Sequence, residues 1–278
     1  DVGIKIKECL VELIGYADDI ALVHESLGVL AERLHDLDEI GRKVGFEISL
    51  TKTEWMVSGY KEKRKLKLRN EELKHCESFV YLGVVQDESA TSTAAIEYRM
   101  DKATRAFRSL KRVWKAKLSL VTKGMMYSTL VRSILMAGAG TWTTSTADMR
   151  RLETWEANLL RIITRTSMLE HIPTDRLRRK LRIGSSVPEE VRRHRLRIFG
   201  HVMRMGDDRT VKRVVWAAAT MRSNERRGRP QLSWVQCVKE DLRQRRHGIH
   251  SARKLAQERS KYREQIVYGV RPDARNQR

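Results

Sequence analysis

From Ile96 onward the apolar side chains return in alternating steps of four and three, as Ile96, Met100, Ala103, Phe107, Leu110 and Trp114. Only an α-helix gathers such a spacing onto one face, because a strand scatters it over both. Met125, Leu130, Val131, Ile134 and Leu135 predict a second helix, ending near Gly138 and Gly140. Leu152, Trp155, Leu159 and Ile162 predict a third, opened by Ser145-Thr146-Ala147-Asp148 in the form of a capping box. Val191, Ile198, Val202 and Met205 mark a further helix closed by Gly206. Ser233 and Gln236 open another, and a last one is expected over Ala252 to Tyr268. Pro173 and the stretch Gly184-Ser185-Ser186-Val187-Pro188 punctuate this series and mark the expected domain boundary.

The beginning of the chain has a different period. Leu10-Val11-Glu12-Leu13-Ile14-Gly15 and Ile20-Ala21-Leu22-Val23 are short apolar runs with Tyr16-Ala17-Asp18-Asp19 between them, which predicts a β-hairpin carrying two acids at its tip. Leu27, Leu30, Leu34, Leu37 and Ile40 then give a helical stripe with Ser26 as N-cap, and Phe46, Ile48 and Leu50 alternate as in a half-buried strand. The expected fold class is therefore α+β, with a few antiparallel strands and one helix followed by a mainly α-helical remainder. Its expected divisions are residues 1–90, 91–183 and 184–278.

Charge separates the same regions. The 278 residues carry 56 Lys and Arg against 35 Asp and Glu, a formal net charge of +21. Residues 1–50 hold 5 of those cations and 11 of the anions, so the acidic beginning precedes a strongly basic remainder. Along the first long helix, Arg99, Lys102, Arg105, Arg108, Lys111 and Arg112 fill the positions between the apolar ones, followed by Lys115 and Lys117. Solvated helix faces usually mix signs; a one-sided face is the footprint of phosphate contact. A second basic segment, Arg226-Arg227-Gly228-Arg229-Pro230, has the composition of a loop, and its Arg226, Arg227 and Arg229 are further candidates for nucleic-acid contact. Cys9, Cys76 and Cys237 are odd in number and far apart, which excludes a disulfide framework and a CxxC zinc site. With no apolar run of about 20 residues and no signal sequence at its start, the chain is expected to be intracellular, nuclear or cytoplasmic, neither secreted nor membrane-spanning.

Adjacent aspartates at a strand turn repel each other unless a divalent cation lies between them, and Mg²⁺ takes one or two carboxylates together with phosphate oxygens. Asp also suits a plain tight turn, so the pair alone leaves both readings open. Its surroundings add to it. Tyr16-Ala17-Asp18-Asp19 inside an apolar hairpin is similar to the metal-binding box of reverse transcriptases. Gly45-Phe46-Glu47-Ile48-Ser49-Leu50-Thr51-Lys52-Thr53-Glu54 resembles the next motif of those enzymes, and Phe79-Val80-Tyr81-Leu82-Gly83-Val84 resembles their primer-gripping strand turn, above all in non-LTR retrotransposons of the long interspersed type. Arg195 to Val202, Gly228-Arg229-Pro230, Trp234 and Asp241-Leu242 resemble the C-terminal tail of the same polymerases, so the likeness runs through nearly the whole chain while its catalytic motifs lie in the first 85 residues or so.

The resemblance implies a partial palm followed by a helical thumb and a basic C-terminal region. It implies Asp18 and Asp19 as catalytic, Mg²⁺-binding residues, Tyr16, Ala17 and Lys52 beside the nucleotide, and Tyr81, Leu82 and Gly83 at the primer. The implied partner is an RNA and DNA template–primer duplex, bound through phosphates with tolerance of sequence. In that family a third metal-binding aspartate and the fingers lie before the Tyr-Ala-Asp-Asp box, whereas fifteen residues precede Tyr16. Positioning of this kind carries about 7–11 kcal/mol of barrier. The expectation is a fragment or remnant that binds nucleic acid but is inactive alone, with an upstream polymerase half or a second copy as a further partner. The alternatives are a non-catalytic basic nucleic-acid-binding protein and, third, a chain drawn by charge to anionic membranes or acidic protein tails.

Overall fold

Alternate apolar positions and closely spaced turns build the first part of the chain from short hairpins, and helical stripes build the rest. The computed structural model describes residues 3–6, 8–58, 65–89, 91–221 and 232–269. It resolves into two compact units, Asp1–Tyr81 with Gln86–Ala90 and Gly206–Asn224, and Leu82–Val85 with Thr91–Met205 and Glu225–Arg278.

In the first unit β1 (Ile4–Ile6) pairs antiparallel with β2 (Cys9–Val11), and β3 (Leu13–Tyr16) with β4 (Asp19–Leu22). The apolar run expected to be one strand is divided at Glu12, each part pairing with a different neighbour. Helix α1 (Leu27–Lys43) follows Ser26 and buries Leu27 and Leu34. Beyond it the expected strand at Phe46, Ile48 and Leu50 does not form. The Phe46 amide instead returns to the Gly41 carbonyl at 2.8 Å with Gly45 at φ +84°, which closes the helix, and the amides of Lys52 and Thr53 both turn back to Ser49. Phe46 is left 73% exposed, while Ile48 and Leu50 pack against the small core of Leu27, Leu34, Trp55, Leu66, Leu68 and Leu73. β5 (Glu54–Trp55), β6 (Lys67–Leu68), β7 (Glu71–Glu72) and β8 (Lys74–His75) frame that core, β6 and β7 antiparallel and β5 and β8 parallel. Strands β9 (Ser78–Tyr81) and β10 (Val84–Asp87) form a further hairpin, of which Leu82–Val85 belong to the second unit.

The second unit is helical. Helix α2 (Thr93–Ser109) buries Ile96, Ala103 and Phe107 as its spacing predicts, but it stops at Leu110, and a separate short helix, α3 (Lys111–Lys115), follows. The break lets Trp114 stack on Phe107 at 4.9 Å between ring centroids and donate its indole N–H to the Phe107 carbonyl. Seven residues of unbroken helix would have parted them by about 10 Å. The second expected helix contains α4 (Leu120–Met126), a π-helical turn over Tyr127–Arg132 and α5 (Ser133–Met136), ending at Gly138 with φ +78°. The wide turn rotates the stripe, so Val131 and Leu135 are buried while Met125 and Leu130 stand in solvent.

Helix α6 (Thr146–Thr164) has the predicted capping box of Ser145 and Asp148. Leu152 and Leu159 are buried as expected, but Ile163 takes the core position expected of Ile162, which is 56% exposed. After α7 (Thr174–Lys180), α8 (Val187–Met203) starts at Ser186, inside the second unit. Helix α9 (Thr210–Thr220) belongs to the first unit and packs on β1 and β2. Helix α10 (Trp234–Gln244) carries the expected Ser233 and Gln236 box. The expected last helix is interrupted, because Glu258 leaves helical geometry between α11 (Ile249–Ala256) and α12 (Arg259–Tyr262), and a π-helical turn then runs to Val267. Gly200 of α8 allows Tyr262 to lie against it, since a Cβ there would stand 2.3 Å from the ring, and the Tyr262 hydroxyl donates to the Leu196 carbonyl at 2.7 Å. The fold is thus mixed α+β, small hairpins and one helix followed by a mainly helical region of about ten helices. Among the described residues no helix is long and apolar enough to cross a membrane.

Candidate nucleic-acid interface

The β3–β4 hairpin closes with Tyr16 opposite Asp19, so Ala17 and Asp18 form its two-residue loop. Two-residue loops of right-twisted hairpins need left-handed backbone, which Ala17 supplies at φ +53°. That conformation costs an alanine about 1–2 kcal/mol. Asp18 and Asp19 are exposed, and among the described residues neither has a cationic partner. The described residues include no group of three or more His, Cys, Asp or Glu able to hold a metal ion. Asp18 in the loop and Asp19 at the start of β4 are thus two neighbouring carboxylates, the number that Mg²⁺ takes together with phosphate oxygens.

The structure draws one of the other candidates to this hairpin. The Tyr81 hydroxyl at the end of β9 donates to the Ile14 carbonyl of β3 at 3.4 Å. Lys52 lies exposed in the turn after Ser49, and among the described residues no hydrogen bond or ion pair joins it to Asp18, Asp19 or Tyr16. Leu82 and Gly83, at φ +48° and +77°, form the two-residue loop between β9 and β10. Val84 and Val85 then pack on the helical core of the second unit, and Arg99 Nη2 of α2 donates to the Gly83 carbonyl at 2.6 Å.

On α2 and α3, Lys102, Arg105, Arg108, Lys111, Arg112 and Lys115 are exposed, as is Lys117 just beyond. Arg105 stands 3.7 Å from Asp101, both largely in water, a contact worth at most about 1 kcal/mol. Lys102 sits 4.4 Å from the centroid of the Tyr98 ring, and its hydrogen bond to the phenol draws that group's pKa down. Lys102, Arg108, Lys111, Arg112, Lys115 and Lys117 have no acidic partner among the described residues. Among the described residues these six cations are thus left without a counter-charge, which suits contact with a polyanion.

No family model, no curated protein and no solved structure matches this chain significantly.

Sequence reasoning missed how many cations the fold itself uses. Arg195, in the middle of the basic stretch of α8, is 1% exposed. Its Nε donates to Asp241 Oδ2 at 2.7 Å and its Nη2 to Oδ1 at 3.1 Å, while Nη1 reaches the Trp142 carbonyl and Thr144 Oγ1. Burial pushes the Asp241 carboxyl up, and Arg195 opposes that shift. Glu156, wholly buried, accepts from Arg178 Nη1 at 2.8 Å, from the Val187 amide at 3.1 Å and from the Tyr127 hydroxyl at 3.4 Å, with Arg132 4.0 Å away. Arg193 and Arg197 pair with Glu189 and Glu190, and Arg193, Arg197 and Arg263 surround the Tyr268 ring. The hydrogen bonds of His194 and Ser185, with Arg197 and Arg132 nearby, hold the Glu190 carboxyl down at about 2. The basic face of α8 is thus largely neutralised, unlike that of α2 and α3. A signal for Arg195 existed, because it follows Val191 by four residues and precedes Ile198 by three, on the apolar stripe itself. Arg226, Arg227 and Arg229 lie outside the described residues.

Proposed function

We propose that this chain is part of a retroelement RNA-directed DNA polymerase of the non-LTR type, and that it binds template–primer nucleic acid without polymerising on its own. The first 90 residues correspond to part of a palm, the helices up to α7 to a thumb, and the remainder to a basic C-terminal region. The observation that carries the binding function is the row of exposed cations on α2 and α3, six of which, counting Lys117 just beyond, have no acidic partner among the described residues. The polymerase reading is supported by the order of the motifs, by the loop position of Ala17 and Asp18, and by the contact of Tyr81 with the same hairpin. Phosphate contact makes binding tolerant of sequence and steeply dependent on salt. Asp18 and Asp19 hold Mg²⁺ only together with phosphates of a bound nucleic acid, and no catalytic step is assigned to them.

A non-catalytic nucleic-acid-binding protein is the second reading, favoured by the lack of a third metal ligand beside the hairpin among the described residues. Primer extension on an RNA template with Mg²⁺ and deoxynucleotides, run beside a binding titration on the same template–primer, tests both. The expected result is binding without extension, with a Mg²⁺-dependent increment in affinity that Asp18→Asn removes. An increment untouched by Asp18→Asn leaves the second reading, and absence of binding removes both.

A further inference from the structure

We infer that Arg99 is a positioning residue whose guanidinium holds the Leu82–Gly83 turn on α2, so that the turn and the cation row meet nucleic acid as one rigid element. The inference rests on the nucleic-acid reading for its functional half alone. Arg99 differs from the cations that follow it. Among the described residues Lys102, Arg108, Lys111 and Arg112 are exposed without acidic partners, whereas Arg99 is half-buried and its Nη2 reaches the Gly83 carbonyl at 2.6 Å, a charge-assisted bond.

The turn requires such a hold. Leu82 and Gly83 are consecutive left-handed residues, and leucine avoids that region. Strained backbone persists where its surroundings over-determine it. Two anchors do so here. Val84 and Val85 pack on the helical core, with Val84 Cγ2 3.3 Å from the place a Cβ on Gly138 would occupy, and Arg99 binds the carbonyl just before them. Leu82 remains 51% exposed at the tip, free to meet a ligand. On α2, Lys102 lies three residues and therefore nearly one turn beyond Arg99. The clamp thus ties the tip to the start of the cation row.

Hydrogen exchange of the free protein tests the clamp without nucleic acid. Arg99→Ala is expected to speed exchange across residues 82–86 by roughly 10- to 100-fold, the range for loss of a hydrogen bond to a charged group, while Lys102→Ala leaves it unchanged. Arg99→Lys, which keeps a cationic donor, should restore part of the protection. Equal exchange in Arg99→Ala and the unaltered chain overturns the inference. Salt titrations of duplex binding supply the second readout. Lys102→Ala should lower the slope of log affinity against log salt by about 0.9, whereas Arg99→Ala should weaken binding at an unchanged slope. A slope loss of about 0.9 in Arg99→Ala makes Arg99 a phosphate ligand and sinks the positioning role. Exchange as expected in a protein that binds no nucleic acid supports the clamp and refutes only the function built on it.

Discussion

Replacing Arg108, Lys111 and Arg112 together with alanine removes half of the six cations of this row that have no acidic partner among the described residues, leaving Lys102, Lys115 and Lys117. Each phosphate neutralised on duplex DNA releases condensed counterions and contributes about 0.9 to the salt slope. If all three side chains contact phosphate, the slope becomes shallower by about 2.7, and affinity at 0.1 M salt falls about 500-fold. Fluorescence anisotropy of a labelled duplex, titrated from 50 to about 400 mM salt, reads both quantities. The same variant should unfold within about 0.5 kcal/mol of the unaltered chain, because the three exposed side chains hold no other element in place. A slope change below one unit refutes the assignment of this face, whatever happens to the affinity at a single salt concentration.

Three further outcomes test the second unit. Arg195→Met leaves the Asp241 carboxylate buried and unpaired, so urea unfolding should show a loss of about 3–5 kcal/mol, most of which Arg195→Met combined with Asp241→Leu recovers. Glu190, held down at about 2 against an ordinary 4.5, contributes stability that is complete above about pH 4.5 and lost as pH falls toward 2. Glu190→Gln should therefore flatten the acid limb of a stability-against-pH curve over that window, and an unaltered limb refutes the assignment. Ser145→Ala removes half of the α6 capping box and should cost about 1 kcal/mol in chemical denaturation, whereas Thr146→Ala, one residue on, should cost much less.

Some of this molecule is readable in one dimension. The capping boxes at Ser145 and Ser233 follow from residues three apart, and the α2 stripe from a spacing that repeats within a turn. The Tyr16–Asp19 hairpin follows from two apolar runs with a two-residue loop. The errors have equally local causes. Phe46, Ile48 and Leu50 alternate like a strand, yet the Gly45 turn lets the Phe46 amide close α1 first, and the three side chains part company. The stripe at Met125 to Leu135 has the right residues for one helix, but the π-helical turn inserts an extra residue and moves Met125 and Leu130 into solvent. Leu110 would extend α2 by periodicity alone; the stacking of Trp114 on Phe107 across the break is a tertiary gain that spacing does not encode.

The same division governs the candidate site. Sequence by itself determined the type of most elements, the separation of an acidic beginning from a basic remainder, and the paired carboxylates at a hairpin tip. These are properties of neighbours along the chain. Only tertiary structure decided which cations remain available. Arg195 meets Asp241 across 46 residues, Arg178 meets Glu156 across 22 and Arg99 meets the Gly83 carbonyl across 16, while among the described residues Lys102, Arg108, Lys111 and Arg112 meet no acidic group. A side chain's formal charge is set by its own chemistry. Whether that charge is neutralised within the fold or turned toward a polyanion depends on where packing brings the rest of the chain.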